Sequence, residues 1–375
     1  MLKIAFEFMW YDKPKMIGIL AGIIISVFLI GQQLGIFTAM LGNMKGLARF
    51  NTDYVWVLSN KTENSMQLQT MDARVGRELI SVPGVVSASP LVVVGGSAKL
   101  NSGTRLAVQL VGISSPYFIG GPKVLLGGAS DELLLNEGAV FADKTDQALM
   151  DNIQVGDYFQ INDRRVYLAG FTKGNAGFGA SYVYTTIERA RTLGNFSLDM
   201  CNVFLVKFDT TNFSEQQIIQ YINTNFPNIK AWDAPSFANA TIAYMMRTSS
   251  IAVSFGMMVI FAIIAGFAIV GLTLYSSVND RIRDYGTIKA IGGNNALISK
   301  LILYQAFIYA VIGYSIAYAM LYGFKMILSG GKLEINYSAA IITFLIMVTL
   351  TISVIGSMFA LQKIVKLEPV EIFRM

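Results

Sequence analysis

Four stretches of the chain, residues 16–42, 248–278, 301–324 and 335–362, contain no Asp, Glu, Lys or Arg. Each is long enough to cross a bilayer as a helix, and a charge at the centre of a lipid-facing helix is costly enough that such clearance is required of a spanning segment. Between the first and second lies a polar stretch, 43–247, with the length of one or two small domains. Its periodicity alternates. Residues 54–58 are rich in β-formers, 67–80 have helical spacing ending at Pro83-Gly84, and 85–88, 91–94 and 105–113 read as strands. In the last of these Leu106, Val108 and Leu110 share one parity, with Arg105 and Gln109 on the other.

Gly120, Gly121, Gly127 and Gly128 mark a loop-rich stretch that predicts a subdomain boundary at 114–138. Strands are expected at 139–142, 155–159, 165–171, 181–185 and 202–208, with short helices at 145–151 and 186–193. Ser214 and Gln217 form a capping-box signature ahead of Ile218, Ile219 and Ile222, and Pro227 ends that helix. A helix from Pro235 is expected to continue through Met246 into the second span. The predicted fold class is an integral membrane α-helical protein, with four transmembrane helices and a mixed α+β extracytoplasmic domain inserted between the first and second.

Composition adds little to this, since 54% hydrophobic residues restate the spans, but the charge distribution adds a direction. The net charge of +5 comes largely from three clusters: Lys3, Lys13 and Lys15; Arg281, Arg283, Lys289 and Lys300; and Lys363, Lys366 and Arg374. All three fall on one side of a four-span topology, which is the positive-inside pattern and argues against a nucleic-acid surface. The termini, 1–15 and 363–375, and the loop 279–300 are then cytoplasmic. The domain 43–247 and the short loop 325–334 are periplasmic or extracellular, and the membrane is the cytoplasmic (inner) one. The first span reads as a retained anchor, because Ala39-Met40-Leu41-Gly42 is the nearest approach to a leader cleavage site and a poor one.

Histidine is absent and Cys201 is the one cysteine. That removes Ser-His-Asp catalysis, His-ligated zinc and an intrachain disulfide, so no catalytic, metal or cofactor-binding residue is assigned. Cys201 reads as a small buried hydrophobe. Gly330-Gly331-Lys332 is the nearest approach to a nucleotide-binding loop, but Met326 and Leu333 stand where its first glycine and its Ser/Thr belong. The expectation is no ATP site in this chain. The loop Gly174-Asn175-Ala176-Gly177-Phe178-Gly179 lacks dinucleotide spacing and reads as a long hairpin turn rather than an anion nest, with Phe178 as a contact at its tip.

The second short loop carries more chemistry. As a helix, residues 280–290 place Ile282, Tyr285 and Ile288 on one face and Arg283, Asp284 and Thr287 on the other, and Gly292-Gly293 imply a tight reversal. Such a helix docks on a cytoplasmic protein or lies in headgroups; the alternative is a solvated connector that sets topology. In the first span, Gly18 and Gly22 form one small-xxx-small pair and Gly31 and Gly35 another on nearly the opposite face, suited to two different neighbours in the protomer or to a dimer seam. Gln32 and Gln33 are the main polar side chains of that span, expected near its external end and satisfied by water or an interhelical hydrogen bond.

The run from Arg281 to Gly293 resembles the Glu-(Ile/Tyr)-Gly-x-x-(Lys/Arg)-Ala-(Leu/Ile)-Gly element of MacB/FtsX-type ABC transporter permeases (the MacB/LolCE/FtsX superfamily), with Asp284 in place of the glutamate. Pro369-Val370-Glu371-Ile372-Phe373-Arg374 is similar to that family's closing Pro-x-Glu-x-(Leu/Phe)-Arg. Residues 138–185 resemble its extracytoplasmic core, and 51–57 the start of that domain in the DevC-like branch. The resemblance implies a MacB-like core at 43–247 and an FtsX-like permease domain at 248–370. It implies that Asp280, Arg281, Ile282, Arg283, Asp284, Tyr285, Gly286, Ile288, Lys289 and Ala290 couple to a separate cytoplasmic ABC ATPase, which holds the ATP and Mg. It further implies a second permease protomer, identical or not, and export by mechanotransmission with a periplasmic membrane-fusion adaptor and an outer-membrane channel. The alternatives are an FtsX-like regulator that activates an external cell-wall hydrolase, and an ATPase-independent membrane sensor or scaffold.

Overall fold

The computed structural model describes residues 2–365 apart from 176, 330 and 332. The closing motif at 369–374, Lys366, and two members of the Gly330-Gly331-Lys332 pairing lie outside the described residues. The chain begins with α1 (Leu2–Tyr11) and α2 (Lys13–Met44), then β1 (Val55–Ser59), β2 (Met71–Asp72), α3 (Val75–Ile80), β3 (Val85–Lys99), β4 (Arg105–Ile113) and β5 (Ala139–Asp143). It continues with β6 (Tyr158–Ile161), β7 (Arg164–Thr172), β8 (Ser181–Thr186), α4 (Ile187–Gly194), β9 (Met200–Cys201), β10 (Val203–Phe208), α5 (Glu215–Asn225) and β11 (Ile229–Trp232). The helices α6 (Ala234–Thr248), α7 (Ile251–Asp280), α8 (Ile282–Ala290), α9 (Asn295–Leu328) and α10 (Ala339–Val365) complete it. Two compact units result, one of helices and one from Met40–Ser249.

In the helical unit α2, α7, α9 and α10 are long and apolar enough to cross a membrane, as the charge-free stretches predict. Their ends differ from those stretches because capping, not hydropathy, decides where a helix stops. Helix α9 starts at Asn295 rather than 301, since the Asn294 side chain accepts the Leu297 amide at 2.8 Å. Helix α10 starts at Ala339 rather than 335. The expected continuous helix from Pro235 into the second span is interrupted: Ser249 adopts φ −100°, ψ 139° and ends α6, and α7 begins at Ile251. Serines compete for their own backbone and favour such breaks.

Glycines set how closely these helices approach. A Cβ on Gly22 would lie 2.6 Å from Ile269 Cγ2 of α7, and one on Gly18 3.5 Å from Thr273 Cγ2. Gly31 abuts Leu321 of α9, and a Cβ on Gly35 would meet Ile335 Cγ2 at 2.9 Å. The two pairs thus face different neighbours within this chain. Gln33 Nε2 approaches Met258 Sδ of α7 at 2.8 Å. Helix α10 crosses α7 at Gly356, where a Cβ would stand 3.1 Å from Val270 Cγ1 and 3.3 Å from the Gly271 amide nitrogen. A leucine there overpacks the crossing. Gly356→Leu is expected to cost about 1–3 kcal/mol and to lower the melting temperature of the detergent-extracted protein. Gly271→Ala, whose Cβ would sit 3.8 Å from Gly356 Cα, is expected to melt like the wild type.

In the inserted unit the strands run in the order β11-β1-β10-β3-β4-β8-β5-β7-β6. The first half of β3 pairs antiparallel with β10, and its second half pairs with β4. At Ala98 and Lys99 it also meets β6, which closes β3-β4-β8-β5-β7-β6 into a barrel and removes two edges. The predicted boundary at 114–138 is therefore not where the unit divides. Strand β3 belongs to both halves, and the chain returns to the first at β10. The remaining edge, β11, is blunted by Asn223, whose side chain accepts the Ala231 amide at 2.7 Å and donates to the Ala231 carbonyl at 3.1 Å.

Local signals fared well where the partners were local. The capping box is present, with the Ser214 amide donating to Gln217 Oε1 at 2.9 Å and the Gln217 amide donating to Ser214 Oγ at 3.3 Å. The predicted helix at 67–80 shortens to α3, because Asn64 Oδ1 accepts the Met66 and Gln67 amides at 3.0 Å and holds that segment in a turn. The expected helix at 145–151 reduces to a 3-10 turn over Lys144–Asp146. The loop after β7 is not a hairpin: β5 lies between β7 and β8, so the chain crosses over it. Phe178 is half-buried. Cys201 is fully buried, and burial pushes its thiol up to about 12, the behaviour of a small hydrophobe.

Candidate functional site

The turn between α7 and α9 is built by local rules. Arg281 leaves helical geometry at φ −104°, ψ 22°, ending α7 and starting α8. Helix α8 ends in a Schellman arrangement: the Gly293 amide donates to the Ile288 carbonyl at 2.8 Å and the Gly292 amide to the Lys289 carbonyl at 3.1 Å. Gly292 sits at φ +100°, and a Cβ on Gly293 would lie 2.6 Å from the Ile288 oxygen, so both positions require glycine. The reversal expected of this pair is the reason α8 has a fixed exit.

The faces of α8 divide as the spacing predicts, but their use differs from a free docking helix. Tyr285 is 2% exposed and Gly286 is buried, with Ile282 and Ile288 half-buried. The Tyr285 ring lies 6.1 Å from that of Phe8 in α1, and its hydroxyl hydrogen-bonds Gln305 of α9. Burial is the main cause that pushes its phenol up to about 12, so it stays neutral at physiological pH. The apolar face of α8 is therefore occupied by this chain. Outward stand Arg283, Asp284, Thr287 and Ala290, followed by Ile291 at 81% exposure; Lys289 is half-buried.

Helix α1 holds the start of α8. The Arg281 guanidinium lies 5.4 Å from the Phe8 ring centre and 5.0 Å from that of Tyr11, within cation–π range. Asp280 pairs with Lys15, which also lies 3.4 Å from Asp12 Oδ2. Phe8, Asp12, Arg281, Tyr285, Gln305 and Tyr309 line a small polar pocket at this corner. Ala5 and Met9, one turn apart, are buried in the same core. From the sequence, 1–15 is assigned only as a cytoplasmic terminus, with no helix placed at α1. Its signal was available in the four-residue spacing of Ala5 and Met9 and in the aromatic run ending before Asp12-Lys13-Pro14.

Among the described residues no group of three or more Cys, Asp or Glu side chains is placed to hold a metal ion. The geometry is that of a mechanical elbow. A short helix, fixed at both ends, joins two spanning helices and turns a polar face outward. One candidate span, an inserted mixed domain, then three candidate spans with this elbow define a multi-pass membrane architecture.

Residues 256–369 match the FtsX-like permease C-terminal family. Over 387 aligned positions the chain is 24% identical to the macrolide export ATP-binding/permease protein MacB of Shewanella sp. (strain ANA-3), an alignment covering 95% of this chain and 57% of that protein. The chain thus spans less than two thirds of the length of the curated relatives it matches. Among solved structures, the periplasmic region of MacB from Actinobacillus actinomycetemcomitans aligns at 13% identity and TM-score 0.39, over 53% of this chain and 95% of that one. The extracellular domain of the noncanonic ABC-type transporter YknZ from Gram-positive bacteria aligns at 16% identity and TM-score 0.34, over 48% and 100%. Residues 256–369 thus form an FtsX-like permease C-terminal domain, and over 95% of its length the chain is similar to MacB-type ABC permeases.

Proposed function

We propose that this chain is the membrane subunit of an ABC complex and that a separate ATPase, holding Mg and ATP, docks on the outward face of α8. Two copies assemble with two ATPase subunits, closure of the ATPase pair pushes on α8, and α7 conveys the movement to the inserted domain. The observation that carries this reading is the fixation of α8. Because Tyr285 and Arg281 tie it to α1 and α9, a push on Arg283, Asp284 and Thr287 moves the ends of the spanning helices rather than bending a loose loop. The three basic clusters support a cytoplasmic site for α8 and an external inserted domain. Export with a membrane-fusion adaptor and an outer-membrane channel is the version of this function we favour, in keeping with the relatives named for macrolide export. The cargo is left open.

The test is co-purification of the tagged chain from its own membranes, comparing wild type with the outward-face variant Arg283→Glu plus Asp284→Arg. Wild type is expected to recover an ATPase and the variant to lose it by about tenfold or more, the effect of ~1.4 kcal/mol at the contact. Melting of the variant is expected to stay within about 0.5 kcal/mol of wild type, since both side chains are exposed. Retention of the ATPase by a stable variant removes α8 as the docking element. Recovery of no ATPase with wild type favours a sensor or scaffold.

A further inference from the structure

We infer that α1 lies in the lipid headgroup layer, with Phe6, Trp10 and Tyr11 as its lipid-facing anchors. At the helical angle, positions 5, 8, 9 and 12 point one way and 6, 7, 10 and 11 the other. The first set is the face already described, packed under α8 and α9. The second is largely uncovered: Phe6, Trp10 and Tyr11 are 46%, 55% and 88% exposed, Tyr11 touching Arg281 of α8 on one side of its ring only. Phe6 and Trp10 stack at 6.0 Å with their planes 19° apart, and Lys13 Nζ lies 5.7 Å from the Trp10 ring centre. In water this aromatic surface would go unburied, at about 25 cal/mol for each Å² of apolar area.

Its occupant is indicated by continuity with the lipid-facing surface. Only Asp12 separates α1 from α2, a spanning helix whose first outward apolar residue, Ile17, is 61% exposed. The exposed aromatics therefore sit within about two turns of chain from hydrocarbon, at the depth where Trp and Tyr anchor membrane proteins and where lysines reach lipid phosphates. Glu7 shares the outer face and is exposed, which keeps the helix at headgroup level rather than among the acyl chains. A soluble protein docking on this face would have to enter the same layer. With its inner face on Tyr285 and its outer face in lipid, α1 fixes α8 to the membrane surface. The lipid contact itself does not depend on an ATPase partner.

The test is tryptophan quenching of the full chain in phosphatidylcholine nanodiscs with bromines placed either near the headgroup or deep in the acyl chains. The chain has three tryptophans, and Trp56 is fully buried, so Trp10 is isolated by difference from Trp10→Phe, which keeps an aromatic ring. The expected result is a quenched component with shallow bromines that is absent from Trp10→Phe, weaker with deep bromines, and shielded from aqueous iodide. Quenching of Trp10 by iodide with none by bromolipid would overturn the inference and point to a face open to a soluble partner. Stronger quenching by deep bromines would also overturn it, placing α1 inside the hydrocarbon.

Discussion

Tyr285→Asp is expected to dismantle the corner where α1, α8 and α9 meet. The side chain is 2% exposed, packs against the tilted ring of Phe8 and hydrogen-bonds Gln305, so truncating the ring forfeits packing worth about 3–5 kcal/mol, as for other buried aromatics. The new carboxylate would also be buried, a cost that Arg281 one turn earlier, with its unpartnered Nη2, offsets only in part. Tyr285→Phe keeps the ring and loses one hydrogen bond, about 0.5–1.5 kcal/mol. Thermal melting of the extracted protein, with limited proteolysis between α1 and α2, separates the two: a large drop and early cleavage for Asp, a small drop for Phe. Equal melting of the two variants would contradict the buried placement. The comparison also shows why apolar-face substitutions test docking poorly. They would disturb the proposed docking simply by unfolding the elbow, whereas Arg283 and Asp284 are exposed on its outer surface.

The second large effect belongs to the barrel. Asp143, at the end of β5, is fully buried and accepts four hydrogen bonds. Oδ1 takes the Thr145 amide at 3.0 Å and Thr145 Oγ1 at 2.7 Å; Oδ2 takes Thr172 Oγ1 at 3.1 Å and the Asn175 amide at 2.7 Å. The glycine-rich loop thus offers its Asn175 amide to a carboxylate of the same chain. An amide cannot replace this group, because its NH2 would face donors on whichever side it turned. Asp143→Asn is expected to cost about 3 kcal/mol or more, from donors left unpaired at roughly 1–3 kcal/mol each. Amide hydrogen exchange in the full chain is the suitable readout. Protection should fall in β5 and β7 while β1 and β10, in the other half of the unit, keep theirs. Unchanged exchange in β5 and β7 would mean the carboxylate is dispensable.

These two residues mark the limit of sequence reasoning here. Tyr285 was legible as an apolar-face residue of a short helix, and the helix, its faces and its Gly292-Gly293 exit were all readable from spacing within one turn. What the face touches was not readable, because Phe8 and Gln305 come from elements remote in sequence, one of which was read as a plain terminus. Asp143 carried no signal at all: one acid after a short strand looks solvated until β7 and the crossing loop arrive beside it.

By itself the sequence determined the four spanning helices, the inserted mixed domain and the helical elbow between the second and third spans. Each follows from a rule that acts over a few residues: hydrocarbon excludes charge, caps and glycine pairs stop helices, and alternation selects strands. Only the tertiary structure decided that β3 closes onto β6, that Gly18 and Gly22 serve α7 while Gly31 and Gly35 serve other neighbours, and that α1 braces α8. Those outcomes depend on contacts between distant segments, whose energies come from shape and burial after the elements meet and leave little trace in local pattern.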